Sequence, residues 1–197
     1  MQAFTTLSGI VAHLPRDNVD TDTIIPSREM TSTGKTGLAD GLFAPWRYRD
    51  TTTRAEEPGF VLNQSAFRAA PILAAGANFG CGSSREHAVW ALAEWGITCV
   101  IATSFAPIFR ANCIRNGVLP VVLGLAEIAA LAGQTITIDL AAQTAGGHPF
   151  AIDPEDKMML LEGLDAIDLT LKHRAAIAAW QGADRLARPW VYLEPRP

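Results

Sequence analysis

The run Pro71-Ile-Leu-Ala-Ala-Gly-Ala-Asn-Phe-Gly-Cys-Gly-Ser-Ser-Arg-Glu-His-Ala-Val-Trp-Ala-Leu-Ala-Glu-Trp95 limits what this chain can fold into more than any other stretch. Ile72 to Ala75 read as a short buried strand and Gly80-Cys-Gly82 as a turn where backbone lies close to a neighbour. Ser84 to Trp95 read as a helix with Ala88, Ala91, Leu92 and Trp95 on one face. Gly96-Ile-Thr-Cys-Val-Ile-Ala-Thr103 then reads as a second buried strand, entered by a glycine at the helix C-terminus. Ser104 with Pro107 opens a helix to about Arg115, closed by Asn116-Gly117. A strand, helix, strand, helix rhythm of this kind predicts an α/β fold with parallel pairing and right-handed crossovers. Ligands of such sheets lie beyond the C-terminal ends of the strands, where Ser83 and Ser104 both fall.

The helix start carries its own signature. Ser83 followed three places on by Glu86 fits a capping box, which puts Ser83 and Arg85 where first-turn N–H groups and the positive end of the helix dipole favour an anion. An ordinary capped helix after a glycine turn has the same signature. Two other chemistries meet obstacles. Gly80-x-Gly82-x-x-Arg85 has an arginine where a dinucleotide fingerprint needs its third glycine, and Thr103-Ser104 stand where a ribose-binding carboxylate is wanted. A Cys81 nucleophile with His87 as base needs both on the same side of the turn.

Phe4 to Ala12 suggest a strand, followed by a loop, Leu14 to Pro26, that holds Asp17, Asp20 and Asp22. Their D-x-x-D-x-D spacing does not match a calcium loop, and turn-making or capping roles account for them. Residues 27–50 combine Gly34, Gly37 and Gly41 with Arg28, Lys35, Arg47 and Arg49 and show little periodicity, as in a binding loop. Phe43, Trp46 and Tyr48 should pin its far end to the core. Phe60 to Ala70 have room for a short helix. Val118 to Leu123 carry Pro120 and so belong at a sheet edge. Leu125 to Leu131 make a short helix, Thr135 to Leu140 a half-exposed strand, Gly146-Gly147 a turn, and Phe150 to Ile152 the returning strand. From Pro154 the tail reads as helical, with Ile167, Leu171 and Ile177 spaced for packing. The expected division is a domain over 1–153 and a helical extension over 154–197 packed on it.

With 197 residues the chain can bury a sizeable core. Only 18% of residues are charged, which hints at a surface partly covered by a partner. A net charge of -4 without a basic block argues against nucleic acid and anionic membrane. Cys81, Cys99 and Cys113 include no C-x-x-C pair, so no metal or iron–sulfur site within this chain is expected, and Cys99 and Cys113 default to the core. His148 and His173 read as surface residues. Neither a secretory h-region nor a run of about eighteen apolar residues occurs, which points to the cytoplasm.

Read together, Asn18-Val-Asp-Thr-Asp-Thr-Ile-Ile-Pro26, Asn78-Phe-Gly-Cys-Gly-Ser-Ser-Arg-Glu-His-Ala88, Ser104-Phe-Ala-Pro-Ile-Phe109, Asn116-Gly-Val-Leu-Pro120 and Gly163-Leu-Asp-Ala-Ile-Asp-Leu-Thr-Leu171 resemble the small-subunit family of the 3-isopropylmalate dehydratases, in the aconitase superfamily. The likeness spans nearly the whole chain. It implies the swivelling β/β/α domain, here a separate polypeptide. It also implies a heteromeric hydro-lyase that interconverts 2-isopropylmalate and 3-isopropylmalate in leucine biosynthesis.

The resemblance further implies a large-subunit partner that carries a four-iron, four-sulfur cluster, with no cofactor bound by this chain, and a small dicarboxylic hydroxy acid as substrate. Carried over by position, Ser83 is the base, Ser84 and Arg85 bind carboxylate or support the ionised serine, and Asp22 occupies an active-site position. Arg28 and Lys35 are candidate substrate ligands in the loop that covers the substrate's variable group. Members of the family often continue after the Ile-Ile-Pro with Lys-Gln-Phe-Leu and later Arg-Thr-Gly-Phe-Gly. This chain has Ser27-Arg-Glu-Met30 and Lys35-Thr-Gly-Leu-Ala39, which leaves methylmalate-type or dimethylmalate-type dehydratases as alternatives. A non-catalytic anion-binding scaffold is the alternative of another class.

Overall fold

The computed structural model describes residues 1–30 and 34–192. Residues 31–33 of the expected loop and 193–197 of the expected extension lie outside them. Seven strands form one sheet in the order β6-β5-β4-β1-β7-β8-β9. Its parallel half is β1 (Thr6–Leu14), β4 (Ile72–Ala75), β5 (Cys99–Ala102) and β6 (Leu119–Val122), in register from Val11↔Ile72 through Ile72↔Cys99 to Cys99↔Leu119. Its antiparallel half is β7 (Thr135–Asp139), β8 (Thr144–Ala145) and β9 (His148–Pro149), joined through β1. β2 (Tyr48–Asp50) and β3 (Ala55–Glu56) make a separate ribbon.

Every residue of β4 and β5 is buried, because the sheet is covered on both faces. Leu73, Ala75, Val100 and Ala102 point to one side, where Ala88, Val89, Ala91 and Leu92 of α3 (Glu86–Trp95) meet them. Ile72, Ala74, Cys99 and Ile101 point to the other, against Leu119, Val121, Ile128, Ile136 and Ile138. The period of two thus survives inside runs that look uniformly apolar. In β7 the same period is visible in the sequence, since Ile136 and Ile138 face in and their neighbours do not. β6, with Pro120, lies at the sheet edge as expected. Cys99 and Cys113 are fully buried, and that burial pushes both thiols up, so they act as small apolar side chains.

Three local readings need correction. Gly146 and Gly147 both have positive φ, 57° and 86°, so the turn closes within two residues and pairing resumes at His148, not at Phe150. Phe150 instead enters the core. Phe60 to Ala70 hold only a 3-10 turn at Val61–Asn63. In the tail, α6 (Pro154–Glu162) docks through Met159 and Leu160, and Arg110 Nη1 bonds Asp156 Oδ2 at 2.9 Å. By contrast, α7 (Ala166–Leu171) and α8 (Arg174–Ala187) contain no buried residue, and Ile167 and Leu171 are exposed. The contacts that these helices do make are partial: Leu169 packs against the core and Ile177 is half-buried.

Candidate active site

The connections that leave the C-terminal ends of β1, β4 and β5 are bonded to one another. Asp17 Oδ1 accepts from the N–H of Ala77 at 2.6 Å, and the Asn18 N–H donates to the Ala77 carbonyl at 2.8 Å. Asn78 Nδ2 donates to Asn18 Oδ1 at 2.8 Å, and Gly80 N–H to the Val19 carbonyl at 2.8 Å. Thr21 donates its N–H to the Cys81 carbonyl at 2.8 Å and its hydroxyl to the Ser83 carbonyl at 3.0 Å. On the far side, Phe79 N–H donates to Ser104 O at 3.0 Å and Asn78 N–H to Ser104 Oγ at 2.8 Å. Short polar side chains that bond neighbouring backbone are what a loop rich in Asp, Asn, Ser and Thr supplies. Motifs some sixty residues apart meet for that reason.

Asp20 caps α1 (Thr21–Ile24), accepting from Thr23 N–H at 2.6 Å. With Asp17 on Ala77, the turn and capping roles expected of two of the three aspartates are found. The third, Asp22, pairs with Arg85.

The expected capping box is absent. α3 begins at Glu86, its N-cap is Arg85 in extended conformation, and among the described residues no side-chain cap bond is formed there. Gly80 and Gly82, at φ 76° and 92°, carry the chain out past the strand end; beyond them the Arg85 N–H closes on the Ser83 carbonyl at 2.8 Å, and Arg85 is extended. Glu86, free of the cap, accepts from Asn116 Nδ2 at 2.7 Å. Ser83 is exposed and lies at a cavity of about 190 Å³. One wall of that cavity is Thr21, Gly80, Gly82, Ser83, Ser84 and Arg85; the other is Ala106, Pro107, Ile108, Phe109 and Asn112.

That second wall is the start of α4 (Pro107–Arg115). Two helix N-termini therefore face one cavity. Pro107 has no N–H to lose at the first helical position, while first-turn N–H groups at Ile108 and Phe109 have no acceptor within the helix. Together with the Arg85 guanidinium, these positive ends suit a ligand with two negative groups. Thr21, Asn112 and the α4 start did not figure among the candidate residues. Pro107 at a helix start, a short loop beyond the end of β5, is the available signal.

Ser83, Ser84 and Arg85 share the cavity, and Asp22 joins them through its ion pair with Arg85. Arg28 and Lys35 do not line it. Arg28 is largely exposed beside Glu29, 3.6 Å away, and Lys35 Nζ bonds Asn116 Oδ1 at 2.9 Å and sits over the Trp90 ring. His87 lies against Trp90 at 4.7 Å between ring centroids, and among the described residues no hydrogen bond joins it to Cys81. Nor is there, among those residues, any group of three or more His, Cys, Asp or Glu placed to hold a metal ion.

The turn tolerates little change. A Cβ on Gly80 would lie 2.0 Å from Cγ of Phe109, a buried ring set edge-on against Phe79. Gly80→Ala is expected to cost about 3 kcal/mol, from the left-handed backbone plus the collision. Gly96→Ala also has positive φ, but its Cβ would meet nothing within 4 Å, so it should cost about 1–2 kcal/mol. Urea unfolding of the two variants compares them directly.

The aconitase C-terminal domain family matches residues 1–125 of the chain. The 3-isopropylmalate dehydratase small subunit of Cupriavidus necator is 52% identical, over 98% of this chain and all of its own length. Its counterpart from Xanthobacter autotrophicus is 50% identical, over 97% of this chain and again its full length. The crystal structure of 3-isopropylmalate dehydratase from Methanocaldococcus jannaschii is similar with a TM-score of 0.61 and 29% identity, covering 89% of this chain and 99% of that one.

Proposed function

The chain belongs to the aconitase C-terminal domain family and, within it, to the small subunits of 3-isopropylmalate dehydratase, and on that premise we propose that its cavity is the proton-transfer half of a site completed by the large subunit. The fold is the mixed α/β domain of that family, and the activity is that of a hydro-lyase subunit in leucine biosynthesis. The interconversion of 2-isopropylmalate and 3-isopropylmalate proceeds by loss and return of water. The observation that carries the residue assignment is the exposed Ser83 side chain, without a hydrogen-bond partner among the described residues, at a cavity walled by two helix starts and Arg85.

In the proposed mechanism the Ser83 oxygen takes the proton from the carbon beside a carboxylate. Electrons of the broken C–H bond form the C=C bond, and hydroxide departs from the adjacent carbon toward the large subunit. Readdition at the other carbon, with the proton returned from Ser83, gives the isomer. A free alkoxide is far too basic to persist near neutrality, since even the tyrosine hydroxyl ionises only near pH ~10. Helix N-termini, free N–H groups and the Arg85 guanidinium stabilise the ionised oxygen over the hydroxyl, more so once the large subunit excludes water. Ser84 and Arg85 hold a substrate carboxylate, and Asp22 holds Arg85 in place until that carboxylate arrives.

We place the four-iron, four-sulfur cluster in the large subunit. The thiols of this chain do not fit it: Cys99 and Cys113 are enclosed in the core, and Cys81 stands alone in the glycine turn. We also assign the protein to the cytoplasm; among the described residues no helix is long and apolar enough to cross a membrane.

The test is reconstitution with the large subunit and a panel of unsaturated diacids. The pair is expected to hydrate 2-isopropylmaleate, with citraconate and dimethylmaleate poorer by at least about tenfold in kcat/KM. A reversed order would favour a methylmalate-type or dimethylmalate-type enzyme. A pair inactive on all three, yet still assembled, would leave the anion-binding scaffold.

A further inference from the structure

The backbone from Gly37 to Asp40 is gripped from both sides by side chains of opposite charge. Glu94, near the C-terminal end of α3, accepts three successive N–H groups: Gly37 on Oε1 at 2.6 Å, and Leu38 and Ala39 on Oε2 at 2.6 and 2.9 Å. Those bonds hold its carboxyl below the usual range despite the desolvation that opposes them. Arg47 takes the carbonyls, bonding Ala39 O through Nη1 at 2.9 Å and Asp40 O through Nη2 at 2.6 Å. Arg47 is 2% exposed, its guanidinium lies 4.6 Å from the centroids of both the Tyr48 and the Trp95 rings, and among the described residues its Nε has no hydrogen-bond partner. Burying a cation is costly, and here its terminal nitrogens bond those two carbonyls and the Tyr48 hydroxyl in return.

Lys35, two residues before that grip, is laid along the same helix. Its ammonium bonds Asn116 Oδ1, which also accepts from Trp90 Nε1 at 2.9 Å, while Asn116 Nδ2 donates to Glu86 and to the Asn112 carbonyl. Glu86 follows Arg85 in the chain, and Asn112 lines the cavity. The Lys35 charge is thus held one helical turn behind the cavity wall, where it raises the potential felt by a dianion without touching it.

We propose that Glu94 is a positioning residue for the dehydratase reaction: with Arg47 it clamps Gly37 to Asp40, and so fixes the Lys35 ammonium where it favours binding of the dicarboxylate substrate. The inference rests on the dehydratase reading above. In the assembled two-subunit enzyme, Glu94→Gln and Lys35→Met are each expected to raise KM about threefold to tenfold with kcat within about twofold. Because Glu94 acts through Lys35, the double variant should be no worse than Lys35→Met alone. Glu94→Asp should recover part of the loss.

Additive effects on KM, or an unchanged KM with only a lower unfolding midpoint, would overturn the proposal and leave Glu94 a structural contact. Amide hydrogen exchange provides an independent arm in the small subunit alone: the Gly37 to Ala39 amides should exchange at least about tenfold faster in Glu94→Gln, and unchanged exchange would remove the clamp itself. An inactive wild-type pair would overturn the dehydratase reading, while the exchange measurement would still decide the clamp.

Discussion

Ser83→Ala in the assembled enzyme is expected to lower kcat by about a thousandfold or more, the scale set by loss of an essential general base. Its effect on folding should be slight. A capping serine costs about 1 kcal/mol when truncated to alanine, but Ser83 caps nothing: α3 begins three residues later behind Arg85. Among the described residues only the Ser83 carbonyl is engaged, by Thr21 Oγ1 and by the Arg85 N–H, and alanine keeps it. The expected pattern is therefore an assembled pair of wild-type stability that binds substrate and does not turn over. Turnover within tenfold of wild type would take the base role from Ser83.

Arg85→Lys should both raise KM and lower kcat, with a combined loss in kcat/KM on the order of a hundredfold. An ammonium keeps the charge but cannot present two parallel N–H groups to a carboxylate, and it has one compact centre to divide between Asp22 and the substrate. If Arg85 only neutralised Asp22, lysine would serve nearly as well and the steady-state constants would stay within about twofold. Steady-state kinetics on 2-isopropylmaleate separates the two outcomes. A rise in KM alone would mean that Arg85 holds the ground state and the transition state equally.

How much of this could be read before the fold was known differs from residue to residue. The strand, glycine turn and helix around Ser83 were legible because each is dictated locally, by apolar runs, by glycines at positive φ and by a helical apolar face. The edge position of β6 followed from Pro120 alone. The capping box was misread because its local signature competes with a tertiary donor: Asn116, thirty residues on, takes the Glu86 carboxylate. Asp17 and Asp20 were legible as turn and capping residues. Asp22 is placed at the site by the family resemblance and not by its spacing, since it takes the bonded loops to bring it to Arg85. The α4 start escaped notice as a cavity wall for the same reason. In the tail, helical period was visible and burial was not, because spacing reports that a helix has an apolar face and says nothing of what meets it.

The bonded connections beyond β1, β4 and β5 have an energetic consequence. Their backbone order is established when the sheet forms, so Ser83, Arg85 and the α4 start are pre-organised before any ligand arrives. On the proposed assignment, association with substrate would remove little chain freedom at this wall, and reorganisation cost during the reaction would fall on the ligand and the opposing polypeptide.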